Sequence, residues 1–139
     1  MDTDFQHKDE WRRFGKNFLV TVTRHFDDPS PTRPYEGPHR WAVYAYIYPS
    51  HPHFAKFVGD DFWQPAAQVL PMHYCVSFLR RHYNAEGATT SIQVGADYHH
   101  LHDGHFTGYA TREDAGEVFH DATVLFEKLT ELADVEPPV

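Results

Sequence analysis

Alternating apolar and polar side chains predict four β-strands in this chain. They fall at residues 16–26, 40–48, 74–83 and 89–97, in runs rich in β-branched and aromatic residues. The second run shows the alternation most clearly, with Trp41, Val43, Ala45 and Ile47 on one face and Tyr44, Tyr46 and Tyr48 on the other. Asn and Gly within residues 84–88 predict a hairpin turn between the third and fourth strands.

Helical periodicity predicts one long helix over residues 111–133. Its apolar residues recur at three- and four-residue spacing, and Thr111 is placed to cap its first turn. Two short helices are predicted at residues 54–58 and 65–69, where Pro65 suits a first helical turn. The order of elements predicts an α+β fold: an antiparallel four-stranded sheet covered by the C-terminal amphipathic helix, with the short helices between strands two and three. Residues 1–14 and 134–139 are expected to be loosely ordered tails.

Composition indicates a single domain of 139 residues, since 41% hydrophobic and 16% aromatic residues supply a core of that size. The formal net charge of −8 disfavours direct binding of duplex nucleic acid. The single cysteine, Cys75, excludes an internal disulfide and a cysteine-based zinc site. With neither an apolar run of about 18 residues nor an apolar secretory segment near the N-terminus, we expect no membrane association and a cytoplasmic location.

The densest chemistry lies in residues 97–105, which read Asp-Tyr-His-His-Leu-His-Asp-Gly-His. Asp97, His100 and Asp103 leave the end of a predicted strand at three-residue spacing and can converge on one divalent cation. Carboxylate and imidazole ligands together suit zinc, manganese or iron. An ordered turn is the alternative, because aspartate accepts backbone N–H groups and Asp103-Gly104 is a common turn pair. His99, His102 and His105 are expected to be bystanders.

Two further histidines are candidates to join that segment. His51 follows the tyrosine-rich strand, and His73 precedes the third strand. If strands two to four are neighbours, both side chains can approach Asp97, with His73 as an additional metal ligand and His51 as an acid or base. Cys75 is a weaker candidate for a catalytic nucleophile, because its place within a predicted strand is typical of a buried and unreactive cysteine.

The tyrosine face is a second candidate site. Tyr44 and Tyr46 can stack a nucleobase or a similar ring, with Arg40, Arg80 or Arg81 facing phosphates. The alternative, which large aromatic side chains adopt more often, is burial beneath the helix or at a contact between two copies of the chain.

These motifs together resemble small proteins of unknown function encoded by bacteriophages and prophages. The shared pattern is a tyrosine-rich strand running into His-Pro, a lone histidine, and Gly-x-Asp-x-x-His-x-x-Asp. It spans residues 40–105, with its key positions at Tyr44 to Pro52, His73, Gly95, Asp97, His100 and Asp103. The chain departs from this pattern after His73, where Tyr74 and Cys75 replace two glycines common in the relatives. The resemblance implies a phage accessory role and no particular reaction.

Three functions fit these features. We favour an accessory protein, of an anti-defence type, that binds a small ligand such as a nucleotide signal, or binds a host defence protein in the host cytoplasm. Its expected ligand-binding residues are His51, His73, Tyr44, Tyr46 and Arg80. The alternative is a small metal-dependent hydrolase, with zinc or manganese held by Asp97, His100, Asp103 and His73. A homo-oligomeric structural component, assembled through an exposed sheet edge, is the third.

Overall fold

The structure is a computed structural model that describes residues 8–28, 31–33, 35–100 and 103–134. Five β-strands, two 3-10 helices and two α-helices make up this part of the chain. The strands are β1 Lys8–Phe14, β2 Phe18–Phe26, β3 His39–Ile47, β4 Phe78–Tyr83 and β5 Thr89–Asp97. The α-helices are α1 Pro65–Gln68 and α2 Gly116–Ala133, and the 3-10 helices are η1 Phe54–Lys56 and η2 Gly104–Gly108.

The strands form one antiparallel sheet in the order β1-β2-β3-β5-β4. The α+β class, the antiparallel sheet and the C-terminal helix predicted from the sequence are therefore confirmed, but the sheet has five strands instead of four. The additional strand, β1, lies in the segment for which we expected a loose tail. Its polar composition concealed it, because an edge strand is half exposed and needs few apolar residues. Trp11 anchors it by stacking on Trp41, with ring centroids 5.5 Å apart.

The hydrophobic core lies between one face of the sheet and α2. The apolar side chains that β2, β3 and β5 direct to this face meet the buried stripe of α2, and Phe18 contacts Phe126 at a centroid distance of 4.9 Å. The members of the stripe are Val118, Ala122, Leu125 and Leu129. The predicted alternation in β2 and β3 and the helical periodicity thus reflect burial against one common core.

Two predicted boundaries differ by four or more residues from the observed ones. The third predicted strand, β4, begins at Phe78 and not at residue 74, because Tyr74 has a φ of 63° and cannot continue an extended strand. Cys75 therefore lies in a loop, where it is partly buried. Helix α2 begins at Gly116 and not at Thr111, whose Oγ1 accepts the Asp114 N–H at 3.1 Å in a turn that precedes the helix.

The face of the sheet opposite α2 carries the tyrosines. The register aligns Tyr44 with Gly95 and Phe78, and the neighbouring row aligns Tyr46 with Gln93 and Arg80. In the part of the chain that the structure describes, no helix has the length and apolar character needed to cross a membrane.

Candidate functional site

Three predicted metal ligands meet in the structure. One ligand atom from each of His73, His100 and Asp103 lies within 4.8 Å of the other two. His73 Nε2 is 2.8 Å from Asp103 Oδ1, and His100 Nδ1 is 2.9 Å from Asp103 Oδ2. The two imidazoles thus flank one carboxylate, each facing a different oxygen. We call these three residues the His-Asp cluster.

Asp103 is held by the loop that it closes. The His100 backbone N–H donates to Asp103 Oδ2 at 2.9 Å, and the Asp103 N–H donates to the His100 carbonyl at 3.0 Å. These reciprocal bonds form the ordered turn that the sequence suggested as an alternative to a ligand site. Turn and cluster coexist, because the same carboxylate closes the loop and faces both imidazoles.

His73 reaches the cluster from the loop before β4 and is fixed there by aromatic packing. Its ring stacks on Tyr98 with a centroid distance of 4.3 Å and an interplanar angle of 16°, and the edge of Phe106 packs against it at 5.3 Å. The Tyr98 hydroxyl donates to Asp121 Oδ2 on α2 at 2.5 Å. A ring clamped between neighbours in this way is held in one orientation, as a metal-binding or catalytic imidazole requires.

The cluster is electrostatically unusual because its carboxylate is only 1% exposed. Burial acts to raise the pKa of Asp103, but the hydrogen bonds from the His100 amide and from both imidazoles outweigh it and hold the pKa below its usual value. Burial and the bond to Asp121 raise the pKa of Tyr98 far above that of a free tyrosine, so this hydroxyl stays a proton donor. Asp103 is therefore an anion in the folded protein at neutral pH.

Two imidazole nitrogens and one carboxylate oxygen are the donor set of many catalytic zinc sites, which use three protein ligands and keep a fourth position open. Without a metal, each imidazole donates a ring N–H to the carboxylate. A bound cation would take the place of those two protons, since both histidines must be neutral at the ligating nitrogen.

A pocket of about 480 Å³ adjoins the cluster and shares His73 as part of its wall. Phe106 contributes an apolar side, and the first turns of α2 contribute Glu117, His120 and Asp121. The spacing of these α2 residues in the sequence shows only that they share a helix face, so it did not indicate a site. The pocket thus brings three ionisable side chains of α2 to the same cavity as His73.

Asp97 is not one of the three residues whose ligand atoms lie within 4.8 Å of one another, so its role as a metal ligand stays a prediction. Its side chain is 59% exposed, and Asp97 Oδ1 lies 3.6 Å from His100 Nδ1. The carboxylate leaves β5 on the tyrosine face, whereas the cluster forms where the loop returns toward η2. Asp97 is thus directed by the alternation of β5, whereas Asp103 is placed by the turn that follows the strand.

His51 does not reach the cluster either. It is buried, its Nε2–H donates to the Leu129 carbonyl at 2.9 Å, and its Nδ1 accepts the His53 N–H at 3.0 Å. Leu129 lies nine residues beyond His120 on α2, which corresponds to about 13 Å along the helix axis. The expectation that His51 acts beside His73 was wrong, because the core beneath α2 uses both nitrogens of this imidazole.

The remaining histidines of the loop have separate surroundings. His99 Nε2 donates to Glu36 Oε2 at 2.9 Å, which ties β5 to the loop before β3. His105 is exposed and packs on Phe106, and His102 lies outside the described residues. The expectation that His99 is a bystander was incomplete, since it has a structural partner 63 positions away.

The other predicted ligand-binding residues share a second surface. Tyr44, Tyr46 and Arg80 all lie on the face of the sheet opposite α2, and the Tyr44 ring lies so close to Gly95 that a Cβ there would overlap it. Arg81 is directed elsewhere, because its guanidinium donates to the carbonyls of Gly59 and Phe57 at 2.7 and 3.1 Å. The structure thus divides the predicted ligand-binding residues between two sites and the core.

Comparisons with known proteins supply no relative. No protein-family model matches the chain, and no curated protein or solved structure matches it either. The resemblance to phage-encoded proteins and the cytoplasmic location remain predictions, and function must be argued from the site itself.

Proposed function

We propose that the His-Asp cluster binds one divalent metal ion, zinc in particular, and that the protein is a small metal-dependent hydrolase. The observation that carries this proposal is the convergence of His73, His100 and a buried Asp103 within 4.8 Å, beside an open pocket. Two nitrogens and one oxygen favour zinc over manganese, which prefers six oxygen ligands. Bound zinc lowers the pKa of a coordinated water to about 7 and so supplies a hydroxide near neutral pH.

The pocket contributes the proton transfers of the reaction. A metal held by the cluster would supply the hydroxide for hydrolysis of an ester or amide, in which a bond forms to the carbonyl carbon and the bond from that carbon to the leaving group breaks. Glu117 or His120 accepts the proton that the water loses and returns it to the leaving oxygen or nitrogen. These residues take the acid-base role that we expected of His51.

The charge of the pocket disfavours phosphate esters as substrates. The carboxylates of Asp103, Glu117 and Asp121 together slightly outweigh the two positive charges that a zinc ion would bring and the half positive charge at the N-terminus of α2. We therefore expect neutral or cationic esters and amides to be preferred over phosphorylated compounds.

Metal binding is tested first, on protein purified without a polyhistidine tag. Elemental analysis and calorimetric titration with Zn²⁺ are expected to show one equivalent per chain, with an affinity at least 100-fold lower in His100→Ala and in Asp103→Ala. His105→Ala is the matched control, because it removes an exposed histidine of the same loop outside the cluster. Stoichiometric zinc absent from the wild type, or an equal loss in His105→Ala, contradicts the proposal.

Hydrolysis is tested separately with chromogenic esters, amides and phosphomonoesters. Turnover is expected to disappear when a chelator is added and to return with Zn²⁺. In the double variant Glu117→Gln/His120→Gln it is expected to fall at least tenfold, while zinc affinity is unchanged. If the protein binds zinc but hydrolyses no substrate of the panel, with or without the metal, the proposed hydrolase activity is contradicted. The proposal that the protein binds a metal then remains.

A second candidate function is binding without catalysis, supported by the shared face of Tyr44, Tyr46 and Arg80. We propose it as an accessory role of the phage type, in which this face binds a nucleotide signal or a host defence protein. Thermal-shift screening with nucleotides and a pull-down from host extract test it. Tyr46→Ala and Arg80→Ala are expected to abolish any shift or capture, whereas Tyr83→Ala, at an exposed tyrosine, is expected to have no effect. Absence of both signals in the wild type counts against this role.

Self-association stays a separate prediction for the edge strands β1 and β4. Light scattering across a concentration series tests it, and a monomer at high concentration excludes the structural, homo-oligomeric role.

A further inference from the structure

A small hollow on the tyrosine face, at the end of the sheet formed by β2, β3 and β5, has the features of a ligand site. We call it the Arg40 hollow. Its volume is about 290 Å³, and it is distinct from the pocket beside the His-Asp cluster. Residues that line it include Thr23, Arg40, Ala42, Tyr44, Asp97 and His99.

Small side chains create the hollow. Thr23 on β2 pairs with Ala42 on β3, and Ala42 pairs with Asp97 on β5. Two of the three side chains in this row across the sheet are therefore short. The larger Arg40 and Tyr44 stand on either side of Ala42 along β3, separated from each other by about 13 Å of strand. That spacing leaves room for a flat ring above Ala42.

Arg40 supplies a donor without an acceptor. Its side chain is 9% exposed, and its Nη1 donates to the carbonyls of Gly37 and His39 at 2.8 and 3.2 Å. Its Nε has no hydrogen-bond partner among the described residues, and Asp27 Oδ2 lies 3.8 Å from it. A buried N–H of this kind gains free energy when a ligand brings an acceptor to it.

Carboxylates supply the complementary acceptors. Asp97 and Asp27 both line the hollow and are 59% and 60% exposed. Asp97 uses only Oδ1 in its contacts with the His99 N–H and with His100 Nδ1. The hollow therefore presents one N–H donor and carboxylate acceptors beside the Tyr44 side chain.

These charges determine the class of ligand. Phosphate is disfavoured, because Arg40 already has Glu36 Oε2 3.8 Å from its Nη2, and Asp27 and Asp97 add two further carboxylates to the lining. A flat ligand fits if a carbonyl oxygen and neighbouring N–H donors share one edge. Among nucleobases, guanine has this edge, with O6 beside N1–H and the 2-amino group.

We propose that the Arg40 hollow binds a guanine-type base. Its carbonyl accepts from Arg40 Nε, its N1–H and 2-amino groups donate to Asp97, and its ring lies against Tyr44. This inference rests on the second proposed function, a binding role for the tyrosine face, and is independent of the metal centre.

The test is calorimetric titration of the full chain with guanosine, inosine and adenosine in the presence of a chelator. Guanosine is expected to bind one equivalent, inosine about tenfold more weakly because it lacks the 2-amino group, and adenosine more weakly still. Asp97→Asn is expected to lower guanosine affinity at least tenfold. Asp60→Asn, at an exposed aspartate outside the hollow, is the control and is expected to bind as the wild type does.

Arg40 is itself buried, so its substitution can disturb folding. Tyr44→Ala therefore serves as the second variant. It is expected to lower guanosine affinity at least fivefold while its thermal unfolding stays cooperative. No binding of guanosine at millimolar concentration, equal binding of adenosine, or unchanged affinity in Asp97→Asn overturns the proposal. One further outcome is that a nucleotide raises the melting temperature of the wild type and not of Tyr46→Ala or Arg80→Ala, while guanosine does not bind. That result would remove this inference and keep the second function.

Discussion

His73 Nε2 lies 2.8 Å from Asp103 Oδ1, although 30 positions separate the two residues in the chain. The contact joins the loop before β4 to the start of η2, so the two parts of the His-Asp cluster flank the β4-β5 hairpin in sequence and meet at its open end. Tyr98 holds His73 in this position, because the Tyr98 ring stacks on the His73 imidazole and the Tyr98 hydroxyl donates to Asp121 on α2. The cluster therefore depends on the packing of α2 as well as on its own ligands.

Removal of the Tyr98 hydroxyl tests that dependence. Tyr98→Phe keeps the ring against His73 but leaves Asp121 without its 2.5 Å donor, so we expect the free energy of unfolding to fall by about 1–3 kcal/mol. Tyr83→Phe, at an exposed tyrosine, is expected to change it by less than about 0.5 kcal/mol. Urea unfolding measures both, and equal effects of the two substitutions would contradict the role assigned to this hydrogen bond.

The buried histidines beneath α2 predict a loss of stability in acid. Burial lowers the pKa of His51 and of His53 below the ordinary value of about 6.5. The unfolded chain then binds more protons than the folded one below that pH, so the free energy of unfolding decreases as pH falls from about 6.5 toward the folded-state pKa values. We expect a shallower decrease in His51→Gln, measured by urea unfolding at several pH values. A pH dependence identical to that of the wild type in this variant would show that His51 does not contribute.

The backbone at Tyr74 predicts that glycine is more stable than alanine there. Tyr74 has a φ of 63°, a conformation that L-residues with a Cβ adopt at a cost of about 1–2 kcal/mol. Both Tyr74→Gly and Tyr74→Ala remove the ring, which packs on His73, so their difference isolates the backbone. We expect Tyr74→Gly to be more stable than Tyr74→Ala by about 1 kcal/mol in thermal or urea unfolding. An alanine variant as stable as the glycine variant would argue against the left-handed conformation.

The close approach of Gly37 to η2 predicts a large effect of one methyl group. A Cβ at Gly37 would overlap the Thr107 carbonyl oxygen, and the Gly37 N–H also donates to Thr107 Oγ1 at 2.8 Å. We expect Gly37→Ala to lower the free energy of unfolding by about 1–3 kcal/mol through overpacking. Gly108→Ala is the matched control, since a Cβ at Gly108 meets nothing within 4 Å. Equal melting temperatures for the two variants would show that the segment before β3 does not pack on η2 in this way.

The sequence by itself determined the elements whose patterns are local. Alternation in β2, β3 and β5 and the three- and four-residue spacing in α2 predicted their type and their buried faces, because each pattern records which side of one element meets the core. The same local information pointed to His100 and Asp103, whose side chains lie on one turn. It missed β1, where one tryptophan among charged residues suffices for an edge strand.

Only the tertiary structure decided which distant side chains share a site. It brought His73 to Asp103 and placed His51 in the core beneath α2. It also joined Asp97 to Arg40 around one hollow, a pairing that no spacing along the chain indicates. The physical reason is that convergence depends on strand order and on the packing of rings such as Tyr98. These are properties of the whole core, and no single segment encodes them.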